Sequence, residues 1–323
     1  MKRLVIVLLV LATAGFGILS GQDIFSAMES GSSERVRQVA SEIDLQDQLR
    51  SGLAPAIWAV LYQNSPDVLS VLIEAGADIN KPDMMGGTPL LYAAEIHDDP
   101  TMVKVLIEAG ADVNAKDTSG YTVLMGAAQN HNPTILSLLL ENQADIHVRD
   151  TMGMTVLMHA AQYNANPTLI RRLLAAGSDP EQQSHDGMTP LMYAAASNPN
   201  PEIVATFLDH GVLVDRRTPE GWTALIFASE RNYSPEVVKL LLAYGADIEA
   251  RDHHFERTPL LWSVENSPDI LSVLIASGAD IHATDTNGDS ALTLISASPF
   301  FPDPSVIDLL VESGIDVNHR NHE

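Results

Sequence analysis

The sequence predicts an all-α solenoid built from helix-loop-helix-hairpin units, and three observations predict it. One phrase with a period of about 34 residues recurs eight times between Ala54 and Glu323. A helix-opening residue returns in register at Ala54, Thr88, Thr122, Thr155, Thr189, Thr223, Thr258 and Ser290. A glycine closes the second apolar run at Gly76, Gly110, Gly177, Gly211, Gly245, Gly278 and Gly314. A unit this short cannot bury its own apolar face, so it must stack on its neighbours.

Each element follows from local chemistry. The opening threonine is an N-cap, whose hydroxyl accepts a hydrogen bond from an orphan helix N–H. Pro89, Pro190 and Pro259 follow at the first helical position, where a missing donor costs nothing. Then come pairs of small residues, Ala93-Ala94, Ala127-Ala128, Ala160-Ala161, Ala194-Ala195 and Ala228-Ser229, which let neighbouring inner helices approach closely.

The second helix is expected to open with one device in every copy. A capping residue precedes proline at Ser65-Pro66, Asp99-Pro100, Asn132-Pro133, Asn166-Pro167, Asn200-Pro201, Ser234-Pro235, Ser267-Pro268 and Asp303-Pro304. Aliphatics follow at helical spacing, as in Val237, Val238, Leu240, Leu241 and Leu242. The closing glycine accepts the left-handed conformation that ends the helix. Gln143 stands in that place in one repeat, where mild strain is expected. An Asp-x-x-Gly turn comes next, from Asp83 to Gly86, Asp117 to Gly120, Asp150 to Gly153 and Asp285 to Gly288. Ser184 and Thr218 replace the aspartate in two copies, and each turn projects a hairpin.

These residues resemble the ankyrin repeat, whose Thr-Pro-Leu phrase and period they share from about Ala54 to Asn318. The histidine usual after Thr-Pro-Leu is missing throughout. Leu91, Met125, Met158, Met192, Ile226, Leu261 and Thr293 take its place, so apolar packing is expected to replace its hydrogen bonding between repeats. The resemblance implies a module that binds a protein partner on the concave face made by hairpin tips and inner helices.

Three segments organise the chain: a leader at 1–21, a degenerate capping repeat at 22–52, and eight repeats at 53–323 whose last is a C-terminal cap. In the degenerate repeat, Ile24, Phe25, Ala27 and Met28 suit a first helix and Val36, Val39 and Ile43 a second, with Ser33-Glu34 as cap. The leader reads as an export signal, since Lys2 and Arg3 precede an apolar run from Leu4 to Leu19. That run is shorter than the roughly 20 residues a spanning helix needs. Cleavage at Ala12-Thr13-Ala14 and cleavage near Ser20-Gly21 are both open. A periplasmic or secreted monomer is expected, with an uncleaved membrane anchor as the alternative.

Composition narrows the function further. The formal net charge is -24, which repels a nucleic-acid backbone and suits a basic or polar partner. Cysteine is absent, so disulfides and thiol chemistry are excluded. No catalytic motif stands out, and neither enzyme activity nor a cofactor is expected. Asp78, Asp112, Asp145, Asp179, Asp247, Asp280 and Asp316 keep strict register and read as turn residues. Asp285 to Asp289 starts like a calcium loop, but Ser296 stands where the closing glutamate belongs. A metal-dependent module at His253 and His254 is the remote alternative.

Where the copies differ, partner-binding residues are expected. Tyr121, Met154, Met188 and Trp222 follow the turn glycine in four successive units and would line up as a hydrophobic ridge. Packing against the next hairpin is the competing role for this position. Met84, Met85 and Met152 would extend the ridge along the tips, as would Phe255. The hairpin from Asp252 to Thr258 carries an extra residue, loses its glycine, and presents His253, His254 and Phe255. The expected function is a non-enzymatic interaction module. An inhibitor or immunity protein, or a regulatory partner of an exported enzyme or toxin, is the alternative, since strong negative charge suits masking a basic cleft.

Overall fold

Threonine at each repeat's start caps a helix in the computed structural model, which describes residues 24–45, 52–62, 65–297 and 304–322. The side-chain oxygens of Thr88, Thr122, Thr155, Thr189, Thr223 and Thr258 accept the backbone amides of Leu91, Met125, Met158, Met192, Ile226 and Leu261. Ala54 has no side-chain oxygen to offer, and Pro55 opens its helix unaided. The leader, Gln22, Asp23 and the Asp303 cap lie outside the described residues.

Two compact units divide the chain at Thr151. The first holds α1 (Ile24–Glu29), α2 (Ser33–Ala40), α3 (Pro55–Leu61), α4 (Pro66–Glu74), α5 (Pro89–Ile96), α6 (Thr101–Glu108), α7 (Val123–Gln129) and α8 (Pro133–Glu141). The second holds α9 (Val156–Tyr163), α10 (Pro167–Ala175), α11 (Pro190–Ser197), α12 (Pro201–Asp209), α13 (Ala224–Arg231), α14 (Pro235–Ala243), α15 (Pro259–Ser263), α16 (Pro268–Ala276), α17 (Ala291–Ala297) and α18 (Pro304–Glu312). Among the described residues there is no strand; isolated bridges occur, as at Lys116–Thr122 and Thr284–Ser290. This is an all-α repeat solenoid.

Within each unit, helices pack on the equivalent helix of the next repeat. In the second unit α9, α11, α13, α15 and α17 form the inner row, and α10, α12, α14, α16 and α18 the outer row. The alanine pairs make the inner row possible: Ala93, Ala94, Ala194 and Ala195 are fully buried. Val237, Val238 and Leu241 are buried from the outer row, each contributing about 1.5–3 kcal/mol relative to exposure.

Three findings correct the helix ends. Asp99, Asn132, Asn166 and Asn200 accept the amide two residues on, and Ser65 reaches Val68 at 3.4 Å. Ser234 and Ser267 make no side-chain cap, so the device does not hold in every copy. In the first repeat Ser32, not Ser33, caps α2, and Ile43 lies beyond its end. Gln143 does adopt the left-handed conformation, at φ 64.

The position of the missing histidine is also more than apolar filling. Met125, Met158 and Met192 each turn their thioether sulfur back to the cap amide, at 3.5, 3.4 and 3.4 Å. Sulfur thus takes the part that Glu or Gln plays in a capping box. Hydrogen bonding between repeats is retained, but by a different residue. Buried Asn130 donates to Ala94 O and His97 O of the preceding repeat. In the second unit Asn198 donates to Ala161 O and Asn164 O, Asn232 to Ala195 O and Asn198 O, and Asn266 to Ser229 O and Asn232 O. The Oδ1 of Asn130, Asn198 and Asn232 accepts the amide two residues on, so one side chain closes its own loop and clasps its neighbour's.

Candidate functional site

The hairpins are held from inside by their first residue. Asp83 Oδ1 accepts the amides of Met85 and Gly87, Asp117 Oδ1 those of Ser119 and Tyr121, and Asp285 Oδ1 those of Asn287 and Asp289. Ser184 and Thr218 substitute a hydroxyl that accepts one amide, from Met188 and Trp222. The acids in the other register, from Asp78 to Asp316, each accept the amide two residues on. These carboxylates are occupied with backbone.

Adjacent tips are joined by a backbone rung. In the first unit Thr118 N donates to Met85 O and Thr151 N to Ser119 O. In the second, His185 N donates to Met152 O, His253 N to Glu220 O, Thr286 N to Phe255 O and His322 N to Asn287 O. Pro219 has no N–H for its rung, and Gln183 Nε2 reaches Arg217 O instead, at 3.1 Å. The tips are therefore ordered platforms for the side chains they carry.

Most of the expected ridge is buried. Tyr121 and Met154 are 6% exposed and Met188 is 9%. These side chains fill space beneath the hairpins and do not project, which is the competing role the position carried. Met84, Met85 and Met152 stand out from the tips, Met84 at 91% exposure. Met84 and Met85 belong to the first unit and Met152 to the second.

Trp222 alone of the four stays half exposed, and it enters an aromatic cluster confined to the second unit. Its ring lies 4.9 Å from Phe227 and 4.8 Å from Trp262, centroid to centroid. Phe255 meets Trp262 edge-on at 6.1 Å, and His254 meets Phe255 at 4.4 Å. Two arginines cover the rings. The Arg231 guanidinium sits 5.8 Å from Trp222 and 5.4 Å from Phe227; that of Arg257 sits 5.0 Å from Phe255 and 5.1 Å from Trp262. Such contacts add roughly 0.5–1 kcal/mol each at exposed positions.

The irregular hairpin from Asp252 to Thr258 builds half of this cluster. Asp252 is buried and accepts four donors: the amides of His254, Phe255 and Arg257 and the indole N–H of Trp262. Glu256 takes the left-handed conformation, φ 53, which absorbs the extra residue and presents Phe255 and Arg257 to the Trp262 ring. His253 is turned elsewhere. Its ring lies over Gly221, where an added Cβ would come within 2.6 Å, and its Nδ1 donates to Pro219 O at 3.1 Å. The two adjacent histidines thus face different neighbours.

Phe227, Trp262, Arg231 and Arg257 were missed by the sequence reading. A signal existed for two of them. The fourth residue after the helix cap is aromatic in Trp58, Tyr92, His159, Tyr193, Phe227 and Trp262, one register on successive inner helices. Beside the cluster, a groove of about 470 Å³ is lined by Ser197, Pro199, Arg231 and Tyr233 among others. Arg231 is common to both. No helix among the described residues is long and apolar enough to cross a membrane.

Known proteins place this architecture. A family model described as "Ankyrin repeats (3 copies)" matches residues 24–117, 56–150, 90–167 and 157–252, and one described as "Ankyrin repeat" matches 255–286. The crystal structure of the human ASB11 ankyrin repeat domain superposes with a TM-score of 0.62 at 25% sequence identity, covering 71% of this chain and 99% of that one. No curated protein matches the sequence. The repeats indicate a protein–protein interaction module with a protein partner. With family models matched along most of its length, the chain belongs to the ankyrin repeat family.

Proposed function

We propose that the chain is an exported, non-enzymatic binding module whose partner docks on the aromatic cluster of the second unit. One observation carries the site: Trp222 and Trp262 remain half-buried on a chain whose equivalent large residues, Tyr121, Met154, Met188 and Tyr193, are buried, and Phe255 joins them from the hairpin. Half-exposed tryptophans with arginine beside them are the composition of interface hot spots. They are also held rigidly, by Asp252 and by ring contacts, so little entropy is lost on docking. The reading of export rests on the charged and apolar leader from Lys2 to Leu19.

Affinity capture from the exported fraction of the native host tests both parts. Wild-type chain is expected to retain a protein that Trp222→Ala and Phe255→Ala release, with N-terminal sequencing of the mature chain starting beyond Ala14. Equal retention by both variants removes the site, and a mature chain starting at Met1 removes cleavage of the leader.

A further inference from the structure

We infer that the aromatic cluster recognises a carboxylate set beside a large apolar side chain on the partner polypeptide. This rests on the docking site proposed above and assigns its chemistry. Neither arginine of the cluster uses its full donor set. Arg231 gives only Nε, to Glu230 at 2.6 Å, and Arg257 gives only Nε, to Asp285 at 3.1 Å. Among the described residues, the terminal nitrogens of both guanidiniums meet no acceptor. Each guanidinium is meanwhile held against two rings. A stacked guanidinium with free terminal N–H groups offers two parallel donors in a fixed plane, the geometry that matches a carboxylate fork to fork.

The two pairs differ in strength, and that difference orders the site. The Asp285 side chain is fully buried and that of Arg257 is 20% exposed, so this guanidinium is anchored and already desolvated. Arg231 and Glu230 are chain neighbours at 52% and 29% exposure. An exposed pair of that kind contributes little and exchanges readily for a partner's acid. The apolar half of the recognition falls to Trp222 and Trp262, which lie between the two arginines, and to the groove that Arg231 and Tyr233 share.

Charge sharpens the choice. In a chain of net charge -24 a long acidic segment is repelled before contact, whereas a single carboxylate placed on a guanidinium is not. The occupant is therefore a segment with one carboxylate flanked by an aromatic or long aliphatic residue, and without a run of acids. A lysine-rich segment would leave both arginines unpaired against like charge.

Selection of random dodecapeptides displayed on phage against the full chain tests this, with Arg231→Gln/Arg257→Gln, Arg257→Lys and Trp222→Ala as comparison baits. Circular dichroism first shows which baits are folded; if the double variant is not, Arg257→Lys replaces it, since it keeps charge and loses the planar fork. The expected result is enrichment of peptides with one Asp or Glu within three residues of Phe, Trp, Leu or Met. A synthetic winner should bind the glutamine or lysine variant at least about tenfold more weakly than wild type. Winners rich in Lys and Arg, or acidic winners that bind the arginine variants as well as wild type, overturn the carboxylate assignment. If those winners still lose affinity with Trp222→Ala, the docking site stands without its chemistry. If no variant changes binding, or nothing is enriched, the docking site falls as well.

Discussion

At the scale of the residue, Asn232 tests what joins one repeat to the next. It is 4% exposed, donates to Ala195 O at 2.7 Å and Asn198 O at 3.2 Å, and accepts from Ser234 N at 2.8 Å. Truncation leaves buried carbonyls and an amide without partners, each costing about 1–3 kcal/mol. Asn232→Ala should therefore destabilise by about 2–4 kcal/mol in urea unfolding. Asn232→Asp should cost at least as much, because a carboxylate would face those carbonyl oxygens. A loss below 0.5 kcal/mol, as an order of magnitude for an ordinary surface change, would show that the asparagine ladder does not hold the repeats. Gln143 offers the opposite sign. At φ 64 it sits where the equivalent position of seven other repeats carries glycine. The left-handed conformation costs a side chain about 1–2 kcal/mol, and glycine returns part of that through a freer unfolded chain. Gln143→Gly should raise stability by about 0.5–1 kcal/mol, and a lower urea midpoint would refute the strain.

At the scale of the element, the hairpin from Asp252 to Thr258 is organised by one carboxylate. Asp252 gathers three backbone amides and the Trp262 indole, so it fixes the loop and the ring together. Asp252→Ala should release Phe255 and Trp262 from each other, seen as a red-shifted tryptophan emission and a loss of about 2–4 kcal/mol. Unchanged emission would mean that the inner helix, not the hairpin, positions Trp262. This element also marks where the sequence stops being readable. Its oddity was visible as an added residue and a missing glycine, and so were the caps of nearly every helix, because those bonds close within a few residues. The bonds of Asn130 in the first unit, those of Asn198, Asn232 and Asn266 in the second, and the packing of Met154 and Met188 depend on atoms a full repeat away. Their periodicity was in plain sight, but nothing in the period says which side a neighbour covers. Ser234 and Ser267 carry the same residue type as Ser65, which does cap its helix, so the residue type alone does not reveal which of them bonds. Arg231 and Arg257 carry no motif at all; only the rings beneath them give them meaning.

At the scale of the whole molecule, charge and edge effects govern behaviour that no single repeat controls. Net charge of -24 on 323 residues makes self-repulsion a folding cost that salt relieves. Raising ionic strength from 0.01 to 0.15 M shortens the screening length from about 30 to about 8 Å. The thermal midpoint should rise by a few degrees over that range, and a fall would mean that attractive pairs such as Arg257–Asp285 outweigh the repulsion. The edges should respond differently from the interior. In a stack, each helix pair is stabilised by neighbours on both sides, and a terminal pair has only one. In the second unit α11 buries Pro190, Leu191, Met192, Tyr193 and the three alanines that follow, and α12 buries Ile203, Val204, Thr206, Phe207 and Leu208. At the far edge α17 buries only Ala291 and Ile295, and α18 only Val306 and Leu310. Opening α17 and α18 thus exposes far less apolar surface than opening α11 and α12, and it breaks one inter-repeat interface where an interior opening breaks two. Amide hydrogen exchange should show α17 and α18 exchanging through a sub-global opening well below the free energy of α11 to α14. Adding Asn232→Ala should lower protection across α11 to α14 while changing that of α17 and α18 little, because the edge already opens by a cheaper route. Uniform protection along the second unit would instead establish that it unfolds as one cooperative block, with its edge as firmly held as its centre.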